Sequence, residues 1–260
     1  MSFSADWLSL RSDADRAARD ADLAADLAEL VDGRESLRVL DLGSGTGANL
    51  AATSPFLTSE QTWVLVDADT ALLDKVTTEE GVTVERKVFD LSGNLGALFD
   101  PAPELVTASA FFDLCGAAWI DRLCDLCAEA GALVYAVLSY DGREDWSQPD
   151  PSDANVLAAF HKDQKRDKGL GVSLGPDAAA HLADALRQRG YDIRTARSDW
   201  ELTSADDAEL IGALAEGSAA ATRPALGDVA DAWLAARRQA EAVMIGHLDV
   251  LAIPPNWTCP

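Results

Sequence analysis

The sequence predicts an α/β domain in which a doubly wound, mostly parallel sheet carries helices on both faces. Three observations predict it. Short apolar runs alternate with amphipathic ones from residue 37 to residue 138, the pattern left by right-handed crossovers between buried parallel strands. The first apolar run passes directly into Asp41-Leu42-Gly43-Ser44-Gly45-Thr46-Gly47. Alternating glycines at that place suit a sharp strand-to-helix turn whose backbone passes close to a ligand. The next two strands also end on acids, Asp67 and Asp90.

Residues 12–31 read as an amphipathic helix, with Ser12 and Asp13 as caps and Leu23, Leu27, Leu30 and Val31 at helical spacing. Trp7 and Arg11 precede it, at an edge where they pack or fold over a bound cofactor. Strands are expected at 37–41, 62–67, 82–89, 105–109 and 132–138, with helices at 48–56, 70–76 and 119–129 between them. Residues 140–151 are polar and turn-rich, Asp141-Gly142 being a strong turn pair. A helix over 152–168 and the glycines 169, 171 and 175 complete an inserted cap, 140–175. Pro176 opens a helix to residue 189, a strand follows at 191–196, and helical stretches at 205–221 and 227–245 lead to a last apolar run, 247–253, stopped by Pro254 and Pro255. With no internal repeat, 1–260 reads as one domain: an N-terminal helical segment (1–34), a cofactor-binding half (37–138), the cap, and a helical addition over 204–245.

At 260 residues, 48% of them apolar, the chain has enough material for a sizeable core. Its 21 Lys and Arg face 44 Asp and Glu, a net charge of -23. That balance repels phosphate backbones and anionic lipid, and no basic stripe with interleaved aromatics is present, which argues against nucleic acid and membrane as partners. No run approaches the roughly 18 apolar residues of a spanning helix, and the first six residues lack a basic-then-apolar leader, so a cytoplasmic protein is expected. Cys115, Cys124, Cys127 and Cys259 have no framework spacing. The pair Cys124-x-x-Cys127 lacks a second ligand pair and reads as two buried thiols, so no metal is expected.

The glycine loop satisfies two patterns. Gly43-x-Gly45-x-x-Ala48 fits a dinucleotide fingerprint, while Asp41-x-Gly43-x-Gly45-x-Gly47 is the tighter match to another loop. Dinucleotide enzymes place a pyrophosphate here, beside which a carboxylate is electrostatically unwelcome. With Val64-Leu65-Val66-Asp67, Val88-Phe89-Asp90-Leu91 and Leu105-Val106-Thr107-Ala108-Ser109-Ala110 in order after successive strands, the chain resembles a class I, Rossmann-like S-adenosylmethionine-dependent methyltransferase over about residues 37–196 and the last strand. The resemblance implies a seven-stranded sheet whose final strand, near His247, is antiparallel. It also implies S-adenosyl-L-methionine as cofactor and S-adenosyl-L-homocysteine as product. Asp41, Gly43, Ser44, Gly45 and Gly47 would lie by the amino acid part of the cofactor, Asp67 and Ala68 by the ribose, Asp90 and Leu91 by the adenine, and Ala108 and Ser109 along the methionine. A carboxylate suits the ribose because its two oxygens can accept from a vicinal diol.

On the acceptor side, Asp113 beyond the fourth strand, Tyr140 and Asp141 beyond the fifth, and His161 in the inserted helix are the candidates. Methyl transfer from a sulfonium needs mainly alignment in a dry site, and a general base only for some acceptors. His161, Gln164 and Lys168 share one helical face of a locally basic run, and such a face would offer donors to an anionic or carbonyl-bearing small molecule. Two other readings stand beside this one: a nicotinamide-dependent oxidoreductase, and a non-catalytic cofactor-binding scaffold of the same fold.

Overall fold

A computed structural model describes residues 4–57, 60–77 and 81–258; Cys259 and the first three residues lie outside them. The strands β1 (Leu37–Leu42), β2 (Gln61–Asp67), β3 (Val82–Val88), β4 (Leu105–Ser109), β5 (Leu133–Trp146), β6 (Asp192–Arg197), β7 (Trp200–Thr203) and β8 (Ala242–Ile253) form one sheet in the order β3-β2-β1-β4-β5-β8-β6, with β7 on the far half of β8. The pairs from β3 to β5 are parallel, and β8 runs antiparallel to β5, β6 and β7. β7 is an eighth strand that the sequence reading did not anticipate.

Side-chain alternation gives the sheet two buried faces. Leu40 and Leu42 of β1 face one core with Trp119 and Leu123, while Leu37 and Val39 face the other with Leu23 and Leu27. The first core is covered by α5 (Ala117–Ala130) and α7 (Ala178–Gln188), the second by α2 (Ala21–Val31), α3 (Ala48–Thr53) and α4 (Thr70–Leu73). Cys124 and Cys127 are buried, free thiols on α5, and burial pushes the Cys124 thiol up to about 12, so both are inert packing groups.

The expected helix over 12–31 is two helices. α1 (Ala5–Ala18) is capped by Ser4, whose Oγ accepts the Trp7 N–H, and α2 by Asp20, whose carboxylate accepts the Leu23 N–H at 2.8 Å. Between them Arg19 leaves helical geometry to donate to Thr53 Oγ1, Asn49 Oδ1 and Ser109 Oγ. Tertiary hydrogen bonding to the ends of α3 and β4 overrides local helix propensity. Trp7 and Arg11 belong to α1 rather than preceding a helix.

The turn expected at 140–151 is instead strand: β5 continues to Trp146. Two bulges bend it away from the sheet, one between Ala136 and Ser139 and one between Tyr140 and Glu144, where Gly142 sits at φ +88°. Leu138, at φ +55°, is held by its N–H donating to the buried Asp249 carboxylate at 2.7 Å. The helix expected over 227–245 ends early as α9 (Asp228–Arg237), and residues 242–246 begin β8. The outer halves of β5 and β8, with β7, α6 (Asp153–Gln164), α8 (Ala208–Leu226) and α9, enclose a third core around Trp146, Trp200, Ile211 and Trp233. Arg237, 1% exposed, pins this cap by donating to both Asp153 oxygens and to the carbonyls of Ser147 and Gln148. Arg237 is buried but Asp153 is 32% exposed, so solvent screens the pair and its loss costs less than that of a fully buried one.

Candidate functional site

The carboxyl ends of β1, β2 and β4 open into a cleft of about 870 Å³, the usual place for a ligand in an open α/β sheet. Its floor is the glycine loop. Gly43 lies at φ +64° and Gly45 at φ +53°, conformations only glycine adopts freely, and a Cβ on Gly43 would stand 2.6 Å from Phe111 Cδ2. The room left by the missing Cβ atoms is used by Phe111 and, at Gly45, by Leu8; both are themselves part of the cleft wall.

Asp67, at the end of β2, is fixed by two backbone donors: Gly45 N–H to Oδ2 at 2.9 Å and Asp69 N–H to Oδ1 at 2.9 Å. Each oxygen keeps lone-pair capacity for a further donor. Asp90 is exposed at the cleft edge; the Ser92 N–H bonds its Oδ1 at 2.9 Å, and bonding to Ser92 lowers its pKa. The backbone there is anchored by Trp119 Nε1, which donates to the Leu91 carbonyl at 2.7 Å.

Gly43, Ser44, Gly45, Asp67, Ala68, Asp90, Leu91 and Ser109 line the cleft. Asp41, Gly47 and Ala108 do not: Asp41 and Ala108 are fully buried beneath it, and Gly47 starts α3. Asp41 accepts at Oδ1 from Asn49 Nδ2 at 2.7 Å, and Asn49 also donates to Thr107 Oγ1. Burial drives the Asp41 carboxyl up to about 7, with the Asn49 bond and Arg19 opposing the shift. Asp41 Oδ2, beneath the loop, and Ser44 Oγ, in the wall, are among the buried oxygens that have no hydrogen-bond partner.

The opposite wall comes from α1 and from a strap after α6. α6 ends at Gln164, so His161, Gln164 and Lys168 do not share a helical face; Gln164 is buried, and Lys168 projects from a turn closed by the Asp167–Val172 bridge. Lys168, Gly169 and Leu170 line the cleft with Leu8, Arg11 and Asp15. The strap is docked on Gly116, whose N–H donates to the Leu170 carbonyl at 3.0 Å.

Asp113 is half-buried one turn beyond β4, next to the wall residue Leu114, but is not itself one of the residues that line the cleft. Burial raises its carboxyl to about 6 against the pull of Lys168 and Arg11. Tyr140 and His161 lie in the cap, outside the cleft wall. The Tyr140 hydroxyl donates to Glu144 Oε1 at 2.8 Å and lies 3.0 Å from His161 Nε2; having one proton, it accepts from His161, which carries its own on Nε2. Asp141 is tied to Arg143, which also holds Asp199, and so braces the second bulge. Sequence reasoning missed Leu8, Asp15, Asn49 and Phe111, which reach the cleft only through packing of α1, α3 and the segment after β4. Among the described residues no group of three His, Cys, Asp or Glu is placed to hold a metal ion, and no helix is long and apolar enough to cross a membrane.

The sheet order, the antiparallel β8 and a cleft over the glycine loop define the class I S-adenosylmethionine-dependent methyltransferase fold. No family model and no curated protein matches the sequence. Among solved structures, the chain is similar to a cyclopropane-fatty-acyl-phospholipid synthase-like protein from Lactobacillus casei, with 16% identity, a TM-score of 0.54, and 96% of this chain and 94% of that one covered. It is also similar to the cyclopropane synthase MmaA2 from Mycobacterium tuberculosis, with 10% identity, a TM-score of 0.53 and the same coverage of 96% and 94%. A third is the mycolic acid cyclopropane synthase CmaA1, complexed with S-adenosylhomocysteine and CTAB, with 12% identity, a TM-score of 0.52 and coverage of 89% and 81%.

Proposed function

We propose that the protein is an S-adenosylmethionine-dependent methyltransferase acting on a small, anionic acceptor by in-line methyl transfer. The observation that carries the reading is the Asp67 carboxylate, held by two backbone N–H groups at the end of β2 inside the cleft, ready to accept from a ribose diol. The unpartnered oxygen of Ser44, in the cleft wall, suits a ligand that carries a donor such as an α-ammonium group; Asp41 lies beneath the loop and does not reach the cleft. The cofactor of the CmaA1 complex, in demethylated form, is of that kind.

When bound, the cofactor supplies an electrophilic methyl group on a sulfonium. This chain's residues then align the acceptor and exclude water: Leu8, Phe111, Leu114 and Leu170 make the wall apolar. For an acceptor that must lose a proton, Asp113 is the proposed base; it stands behind the wall residue Leu114, so the proton reaches it through a bridging water, and with its carboxyl near 6 it is ionised above about that pH. Tyr140, bonded to both Glu144 and His161, serves with His161 as a positioning unit for α6 and the strap that follows it.

Titration calorimetry with S-adenosyl-L-homocysteine tests the reading. Binding by the native chain, weakened about 10- to 100-fold in Asp67→Ala, is expected for the loss of charge-assisted hydrogen bonds. No binding, or binding of NAD instead, removes the methyltransferase reading.

A further inference from the structure

Of the charged side chains in the cleft wall, four are acids, Asp15, Asp67, Asp69 and Asp90, and two are cations, Arg11 and Lys168. The cations differ in how they are committed. Arg11 spends its Nε and one terminal nitrogen on the two Asp15 oxygens, at 2.8 and 2.9 Å, and lies 5.0 Å over the Trp200 ring. Its charge is balanced, and one edge of the guanidinium remains as an oriented donor pair. Lys168 is half-buried at the tip of the strap, and no carboxylate of the described residues lies within ion-pair distance of it. In a chain of net charge -23 an unpaired lysine facing a cleft is conspicuous.

We propose that Lys168 seats the acceptor's anionic group, with the free edge of Arg11 beside it, and that the acceptor is a carboxylic acid with an apolar body. The inference rests on the methyltransferase reading and names the substrate class of that same site. A single negative charge balances Lys168. A phosphate dianion would bring a second charge toward Asp15, which is paired to Arg11, and toward Asp113, which feels both cations. Leu8, Phe111, Leu114 and Leu170 match the apolar body.

The experiment titrates benzoate, the neutral isostere benzamide and phenyl phosphate into protein saturated with S-adenosyl-L-homocysteine. It compares the native chain with Lys168→Met, Lys168→Arg and, as a control on the exposed side of α6, Lys162→Met. Benzoate is expected to bind at least about tenfold more tightly than benzamide, the size of one charge-assisted hydrogen bond. That preference is expected to vanish in Lys168→Met, return in Lys168→Arg and persist in Lys162→Met, with phenyl phosphate weaker than benzoate. Equal binding of benzoate and benzamide, no benzoate binding, a preference that survives Lys168→Met, or tighter binding of phenyl phosphate overturns the proposal. Saturation with S-adenosyl-L-homocysteine is measured first, so failure at that step is failure of the methyltransferase reading and is separate from failure of the carboxylate seat.

Discussion

Asp41 is a carboxylate with every atom removed from water, one oxygen bonded to Asn49 and the other unpartnered. Its folded-state pKa is raised from the ordinary 3.8 to about 7, so between those values the folded chain holds a proton that the unfolded chain has lost. Stability therefore falls as pH rises through that window, by about 4 kcal/mol if the whole shift is expressed, and stays lowered above it. Asp41→Asn keeps an acceptor for Asn49 and removes the charge. Melting curves are expected to show the variant above the native chain at pH 8 and level with it at pH 4; the same gap at both pH values would refute the argument. His247, lowered by burial to about 4, acts in the opposite sense: its contribution is full above about 6.5 and is lost as pH falls toward 4. At this scale the sequence was informative where a residue type is dictated by backbone or charge. Asp67, Gly43 and Gly45 stand where their spacing put them. Asn49 and Phe111 carry no comparable signal, because their place follows from which neighbours they pack against.

The strap from Lys165 to Leu174 passes the Gly116 backbone at very close range. A Cβ on Gly116 would lie 2.9 Å from the Leu170 carbonyl oxygen and 3.0 Å from that of Val172, backbone atoms that cannot swing aside. Gly116 itself is extended, at φ -84°, so a larger residue meets no backbone strain there and its effect is confined to the strap. Gly116→Val is expected to undock residues 166–174, seen as faster proteolysis within that segment, while the melting temperature moves little. Unchanged proteolysis would show that the strap is held by other contacts. Most elements of the parallel half were legible because β1, β2 and β4 are short apolar runs buried on both faces. The cap was not. Its strands carry bulges, α9 ends at the buried Arg237, and β7 has only four residues. Such features are decided by tertiary contacts, and local pattern carries no trace of them.

Over the whole molecule, repulsion among 44 acids outweighs the individual surface ion pairs. Exposed pairs such as Arg187 with Asp184 or Arg223 with Asp231 contribute no more than about 1 kcal/mol each. Self-repulsion at a net charge of -23 opposes the compact state, and it is screened when the Debye length falls from about 30 Å at 0.01 M salt to about 3 Å at 1 M. The melting temperature is therefore expected to rise between those concentrations of sodium chloride. A fall would mean that the ion pairs, not the repulsion, dominate.

The position of β8 sets an order of events for the growing chain. It is the last described strand in the chain, yet it lies between β5 and β6 in the sheet and carries β7 as well. While α6, α7, α8 and α9 are being made, β5 presents an unpaired edge, and β6, β7 and the cap have nothing to attach to. An open apolar edge is a template for pairing with another chain, and closing it late is slow because its partner is distant in sequence. A chain interrupted before Ala242 is thus not a smaller version of the fold but a sheet lacking the strand that joins β6 and β7 to the rest, exposed to aggregation until that single twelve-residue strand arrives.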